Sequence, residues 1–430
     1  MKIKQLVEKI EGEATLDCTM HEGRVEDVKI SFGFYRGIEE ILRGKAPRDA
    51  LVITPRVCGI CNHAHLIAAV RALEEGYART GMKVTLSDKA VKIREFTLAC
   101  ELIQNHAKWF YLVILPQLEK LLGESSGENH ALKASYLSST ITKALAIFGG
   151  QWPHSSYAVP GGVTCDPTHV DVMQAETWVE ESIRFFEQMV AGMPFETYLS
   201  LDKLADLHEI DGDFGRVLQL MGMHGMADTG YSHDRFITFG ECLFFQSGKS
   251  MATTVSNIDV RHVEESRQEG TMAKAVSYKQ KFYETGPLAR GMVAKVPLIK
   301  SLHKRYKDSL LTRVFARVHE MALLLEASKR LLGELRLDEP SCTFEADPQN
   351  ATFEGVGIVE AARGSLIHRT TVKEGVIENY EIIVPTQWNL SQGSEAERGV
   401  AVEAMVGAHT LEEAAFIFRT FDICSVCTTQ

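Results

Sequence analysis

The chain has 430 residues, of which 45% are hydrophobic and 24% charged, and its formal net charge is −11. That composition builds a globular protein with a large core, and the negative balance argues against nucleic acid or an anionic membrane surface as a partner. No apolar run reaches the roughly 18 residues of a spanning helix, and nine cysteines are too sparse in so long a chain for a disulfide framework.

The opening "MKIKQLVEKIEGEA" lacks the apolar centre of a signal peptide, so no leader is expected. "EGEATLDCTMHEGRVEDVKISF" alternates around Glu22-Gly23 and predicts a β-hairpin. From Arg36 the pattern turns helical, and "PRDALVITPR" leads into "VCGIC". "HLIAAVRALEEGYART" then repeats apolar residues at helical spacing up to Gly81. "TLSDKAVKIREFTLACELIQNHAKWFYLVILPQLEKLLG" predicts a long helix, bent or interrupted near Pro116. "FGGQWPHSSYAVPGGVTCDPTHV" is dense in Gly and Pro and predicts an irregular loop. Asp166 is the expected cap of the next helix, with Pro167 at its first position.

From about 195 to 300, short strand signals mix with polar loops. Helix returns in "SLLTRVFARVHEMALLLEASKRLLGEL". "GVGIVEAARGSLIHRTTVKEGVIENYEIIVPTQWN" predicts strands around a Lys373-Glu374-Gly375 turn, and "LEEAAFIFRTFDIC" a last helix that delivers the final cysteines. No internal repeat, low-complexity tract or linker divides the chain. The reading is one large domain over residues 1–430, α+β and mainly α, with a long-helix bundle core and peripheral β-hairpins.

Four cysteines form two close pairs, Cys58/Cys61 and Cys424/Cys427, with 362 residues between Cys61 and Cys424. A Cys-x-x-Cys turn points two sulfurs at one ion. Gly59 is expected to let the first turn close tightly, and Arg56 to favour the thiolate form. A structural zinc site, a thioredoxin-like dithiol and two unrelated buried pairs are the competing readings. Zinc pairs usually lie about 15–20 residues apart, and a dithiol needs one pair in a βαβ context that neither pair has. Chain ends fray unless tied down, so ligation at Cys424 and Cys427 would fix that segment against residues 58–61. Four soft sulfur donors suit zinc, copper(I), iron or nickel, and residue type alone does not choose among them. A reducing cytoplasm is the expected compartment.

These residues resemble the large subunits of NiFe-hydrogenases. "RVCGICNHAH" is similar to the family motif Arg-x-Cys-Gly-x-Cys-x-x-x-His, and "DICSVCTTQ" to Asp-Pro-Cys-x-x-Cys-x-x-His or Arg. The likeness continues in order through "KIEGEA", "YRGIEEILRGKAPRDA", "GGQWPHSSYAVPGGV", "EAARGSLIHR" and "VPTQWN". It implies that family's fold and a nickel held by four thiolates, two of which bridge to an iron carrying carbon monoxide and cyanide. By position, Cys58 and Cys424 would be terminal nickel ligands, and Cys61 and Cys427 the bridging pair. Glu11 would take a proton from a terminal thiolate.

The resemblance also places Arg363 above the metals' open face, where a guanidinium favours developing negative charge or binds a cyanide nitrogen, with Asp422 beside it. Thr386 would donate to a cyanide, and His65 would lie near a bridging sulfur. Glu39, the Ile382 carbonyl and Gln430, which replaces the family's terminal His, would hold a magnesium or iron ion. Ile423 and Ala362 replace usual prolines, and Asn105 stands where oxygen-tolerant membrane-bound relatives often carry an aspartate. Family precursors are cut just after the last motif residue, so the chain is expected to be the mature form or a type without the extension.

The implied reaction is reversible heterolytic cleavage of dihydrogen, the proton passing to the Cys424 sulfur and then to Glu11. The chain has no further cysteine cluster for iron-sulfur centres. An iron-sulfur small subunit docked over the N-terminal motif is therefore the expected partner. Similarity to cytoplasmic multisubunit forms adds diaphorase or flavin electron-transfer subunits. A hydrogen-sensing regulatory subunit is the alternative function. The large quinone-site subunit of respiratory complex I shares the fold but lacks the four ligating cysteines.

Overall fold

In the computed structural model, which describes residues 2–6, 14–240, 251–252, 258–343 and 350–428, the chain opens with an antiparallel sheet. Its strands β1 (Lys2–Leu6), β2 (Ala14–His21) and β3 (Arg24–Phe32) lie in that order. Glu22 and Gly23 carry φ of 48° and 75°, the two-residue turn whose twist suits the flanking strands. The expected hairpin is present and gains a third strand. Ala14, Leu16 and Cys18 alternate inward along β2, so one face of the sheet covers the core.

Two short helices, α1 (Ile38–Leu42) and α2 (Ala50–Ile53), lead to Cys58. The helical body follows with α3 (Asn62–Arg79), α4 (Asp88–Lys108), α5 (Leu115–Leu122), α6 (His130–Gly149) and α7 (His169–Phe185). Every residue from Asn62 to Val70 is buried, as a helix enclosed on all sides requires. The chain does not break at Pro116. Residues Trp109–Ile114 form a π-helical segment that shifts the hydrogen-bond register just ahead of the proline, and the helix continues.

The Gly/Pro-rich loop holds one small ladder, β4 (Ala158–Val159) with β5 (Gly162–Val163). Asp166 does not cap the helix after it. Thr168 does, in a reciprocal box with Asp171, because Asp166 is committed to the buried Lys89 ammonium and to Ser341.

The stretch read as strands and loops also holds four helices among its described residues, α8 (Phe195–Leu199), α9 (Asp213–Met223), α10 (Pro287–Val293) and α11 (Pro297–Tyr306). Its strand signals resolve into two ladders, β6 (Ile237–Thr238) with β7 (Met251–Ala252) and β8 (Val263–Arg267) with β9 (Lys274–Tyr278). Ser309 then caps α12 (Leu310–Gly333) by accepting from the Thr312 amide.

The meander β10 (Phe353–Ala361), β11 (Gly364–Lys373) and β12 (Val376–Ile383) turns where expected at Glu374-Gly375, φ 50° and 81°. It also turns at Ala362-Arg363, which puts Arg363 at a hairpin tip. "VPTQWN" is not strand: Pro385 opens α13 (Pro385–Leu390), at the position where its missing N–H costs nothing. After α14 (Val400–Met405), the expected last helix α15 (Leu411–Thr420) stops short of the cysteines. Asp422, φ 58°, turns the chain into the final pair, where Ser425–Thr428 forms a short α16.

β10 lies directly on α3, backbone against backbone. A Cβ on Gly355 would sit 2.0 Å from the Ala72 carbonyl oxygen, and one on Gly357 1.8 Å from that of Ala68. These contacts march antiparallel along the two elements and carry the β10–β11 tip towards the N-terminus of α3. One continuous apolar cluster runs from Ala14 to Cys427 and includes all four paired cysteines.

Candidate metal centre

The two cysteine pairs meet. Cys58 Sγ lies 3.5 Å from Cys424 Sγ, Cys61 Sγ 3.4 Å from Cys427 Sγ, and Cys424 Sγ 2.8 Å from Cys427 Sγ. All four sulfurs fall within 4.8 Å of one another and are buried. A tetrahedral ion with metal–sulfur bonds of about 2.3 Å spaces its ligands at about 3.8 Å, inside this range. Burial raises the Cys61, Cys424 and Cys427 thiols. At Cys58 burial is outweighed by hydrogen bonds from the neighbouring thiols and by the Arg363 charge, which hold it well below its usual value.

The first pair is held by α4. The His63 and Ala64 amides, at the open N-terminus of α3, donate to Glu101 Oε2 and Oε1 at 2.8 and 2.9 Å. One turn on, Gln104 Nε2 and Asn105 Nδ2 both donate to the Ile60 carbonyl, at 2.9 and 2.7 Å. Positions 101, 104 and 105 share one helix face, so three polar side chains grip a single loop. Two expectations fail here. Gly59 has nothing within 4 Å of its Cβ position and no left-handed φ, so the turn does not require glycine. Arg56 is exposed, and the positive charge that bears on Cys58 is Arg363.

Arg363 faces the cluster from the hairpin tip. Its Nη2 lies 3.1 Å from Asp422 Oδ1, and its Nη1 3.4 Å from Asn105 Oδ1. The tip is anchored by Gly364, φ 131°, where a Cβ would meet Thr285 Oγ1 at 2.5 Å and the Gly286 amide at 2.7 Å. Cys61, Cys424, Cys427, His65, Arg363 and Thr386 line one cavity. Two donors beside it, Thr386 Oγ1 and Arg363 Nε, are buried without a hydrogen-bond partner. A closed four-sulfur ion would not need such donors. A metal centre with acceptor-tipped ligands would use both, and the site fits one.

His65 reaches the cavity from α3. Its Nδ1 is 3.0 Å from His368 Nε2, and His368 Nδ1 is 2.9 Å from the Tyr380 hydroxyl, so two ring contacts fix its orientation. Burial drives His65 down to about 4 and His368 well below its usual value, and both are neutral at pH 7. His368 and Tyr380, like Glu101, were missed from the sequence. The signal available for Glu101 was Gln104 and Asn105 three and four residues on, which place three polar side chains on one face of α4.

Glu39 and Ile382 are also brought together, through the amide rather than the carbonyl. The Ile382 N–H donates to Glu39 Oε1 at 2.8 Å. Lys274 Nζ lies 3.3 and 3.1 Å from the two Glu39 oxygens and 3.3 Å from Glu265. Glu265 Oε1 is buried without a partner, an acceptor that a hydrated cation would use. Glu11 and Gln430 lie outside the described residues.

The sequence matches the model of the family described as nickel-dependent hydrogenase over residues 36–115 and 244–430. It is 27% identical to the periplasmic NiFeSe hydrogenase large subunit of Desulfomicrobium baculatum, covering 93% of this chain and 88% of the relative. It is 22% identical to the quinone-reactive Ni/Fe-hydrogenase large chain of Wolinella succinogenes, covering 99% and 94%. The fold matches the Ni-Fe-Se hydrogenase of D. vulgaris Hildenborough in its reduced state with a TM-score of 0.83 at 24% identity, over 100% of both chains. The match spans the motif residues whose sulfurs meet here, and the chain belongs to the nickel-dependent hydrogenase family as a large subunit.

Proposed function

We propose that this chain, acting as one domain over residues 1–430, catalyses reversible heterolytic cleavage of dihydrogen at a nickel–iron centre. Cys58 and Cys424 would hold the nickel as terminal ligands, Cys61 and Cys427 would be shared with the iron, and that iron would carry carbon monoxide and cyanide. When bound, this centre supplies a redox metal with an open face that polarises dihydrogen. The observation that carries the reading is the four-sulfur cluster beside a cavity with two unpartnered buried donors.

In this reading the chain's own groups bind, orient and move the proton. The Cys424 sulfur accepts it, and Glu11 takes it outward. Arg363 lays positive charge over the cavity, with Asp422 fixing its direction, while Thr386 Oγ1 and Arg363 Nε donate to ligand nitrogens. His65, held by His368, lies beside the bridging sulfurs. Glu39 and the Ile382 carbonyl, with Gln430, would hold a magnesium or iron ion.

Electrons leave through an iron-sulfur small subunit. Support for its docking near the first motif comes from exposed apolar side chains just before Cys58, with Phe34 63%, Ile41 49% and Val52 56% accessible. The cytoplasm, with diaphorase or flavin subunits, is the proposed setting, although one relative is named as periplasmic. No helix among the described residues is long and apolar enough to cross a membrane. Glu11→Gln tests the proton path: dihydrogen oxidation and hydrogen/deuterium exchange should both collapse while metal content stays at wild type. Wild-type turnover in that variant would refute the assignment.

A further inference from the structure

Behind Arg363 stands a second buried guanidinium that touches none of the cavity. Arg317, on α12, directs Nη1 at Asp422 Oδ2, 2.9 Å away, while Asp422 Oδ1 takes Arg363 at 3.1 Å. The same Nη1 donates to the Ala362 carbonyl at 3.1 Å, one residue before Arg363 at the hairpin tip. It also lies 3.3 Å from His106 Nδ1, and its guanidinium stacks 4.9 Å above the centroid of Trp109, in the π-helical segment. His106 Nε2 pairs with Glu320 at 2.8 Å, which leaves Nδ1 as the acceptor for Arg317. Arg290 repeats the pattern one residue earlier, donating to the Ala361 carbonyl at 2.9 Å and to Glu320 at 2.7 Å. Two consecutive carbonyls of the tip are thus held by two buried guanidiniums, Arg290 paired directly with Glu320 and Arg317 linked to it through His106.

We infer that Arg317 is a positioning residue for the proposed reaction: it divides the Asp422 carboxylate and clamps the tip, so that the Arg363 guanidinium faces the metal cavity. The inference rests on the metal-centre reading above. The physical case is one of competition. A carboxylate with both oxygens free takes a guanidinium in a bidentate fork, the strongest geometry available to the pair. Arg317 occupies Oδ2, so Arg363 is held through Oδ1 and its Nε stays unpartnered beside the cavity. Without Arg317, Asp422 is free to close on Arg363 and draw it off the metals. The charge of the trio also falls from +1 (two arginines and one aspartate) to 0. A lysine keeps the charge but not the planar fork that reaches Asp422 and the Ala362 carbonyl together.

The test uses Arg317→Lys and Arg317→Met in the assembled enzyme, purified without oxygen beside the wild type. Nickel and iron per chain should stay at wild type in the lysine variant. Its infrared bands from the diatomic ligands should shift. Its kcat should fall roughly ten- to a hundredfold with little change in KM, the cost of misplacing a group at the reacting atoms. Adding Arg363→Lys to Arg317→Lys should cost no more than Arg363→Lys alone, because one residue acts through the other. Where the methionine variant does not fold, the lysine variant carries the test. Unshifted bands with wild-type kcat, or losses that multiply in the double variant, would overturn the inference and leave the metal-centre reading intact. Absence of the bands in the wild type would instead strike at that reading.

Discussion

Gly357→Ala tests whether the β10–α3 contact sets the geometry of the metal site. The added methyl carbon would sit 1.8 Å from the Ala68 carbonyl oxygen and 2.5 Å from the Ala72 amide nitrogen. Both obstacles are backbone within α3, so neither side yields by rotating a side chain. Restoring ordinary contact takes a retreat of more than about 1 Å, and overpacking of this kind costs about 3 kcal/mol. A chain of this length has an unfolding entropy near 0.9 kcal/mol per kelvin, so the melting temperature should fall by roughly 3 °C. The functional effect should be larger than the thermal one. β10 ends at the tip that carries Arg363, and α3 begins beside Cys61, so the retreat separates the two sides of the cavity. Calorimetry on the anaerobic protein, with nickel and iron measured on the same sample, reads both effects. Gly222→Ala is the control, since a Cβ there meets nothing and the helix gains up to about 1 kcal/mol from alanine. A Gly357→Ala protein that melts within 1 °C of wild type (roughly 1 kcal/mol) and keeps its metals would refute the argument.

Three further outcomes follow from named groups. Burial alone would raise the Glu320 carboxyl, but Arg290 and His106 hold it at about 2, below its usual 4.5. The ionised form therefore adds about 3 kcal/mol of stability above pH 4.5, of which roughly two-thirds is lost by pH 3. Glu320→Gln should flatten that acid limb in a denaturation series from pH 6 to pH 3; an unchanged slope contradicts the ion-pair account. Cys427→Ser replaces a soft donor with a hard one, and nickel per chain and the diatomic infrared bands should both fall at least tenfold. Cys342→Ser, at an exposed thiol outside the cluster, should leave both unchanged. Thr386→Val removes a hydroxyl that has no protein partner, so the metal-free protein should lose no stability while the cyanide bands of the loaded enzyme shift; a stability loss above about 1 kcal/mol would assign the hydroxyl a structural bond instead.

The sequence made the chemistry more legible than the architecture. Cys58, Cys61, Cys424 and Cys427 were readable because paired thiols are rare and their spacing is fixed by the ion they bind. The hairpin at Glu22-Gly23 and the turn at Glu374-Gly375 were readable because left-handed φ selects a small set of residues. Arg363's place at a hairpin tip was not, since Ala362-Arg363 has no turn chemistry of its own. Its turn is imposed by β10 packing on α3 and by the close approach of Gly364 to Gly286. Helices α8 to α11 were hidden because each is short and fixed by tertiary burial rather than by a long apolar period. Asp166 failed as a cap for a similar reason: a buried lysine distant in sequence claimed its carboxylate first. The polar residues that build the site from behind, Glu101, Arg317, Glu320 and His368, carry no local signal of their long-range partners.

The direct test of the central claim is infrared spectroscopy on the chain purified with its partner under strict exclusion of oxygen, with metals quantified on the same sample. The expected result is bands from carbon monoxide and cyanide together with one nickel per chain. Zinc in the four-cysteine cluster, with no such bands, would contradict it.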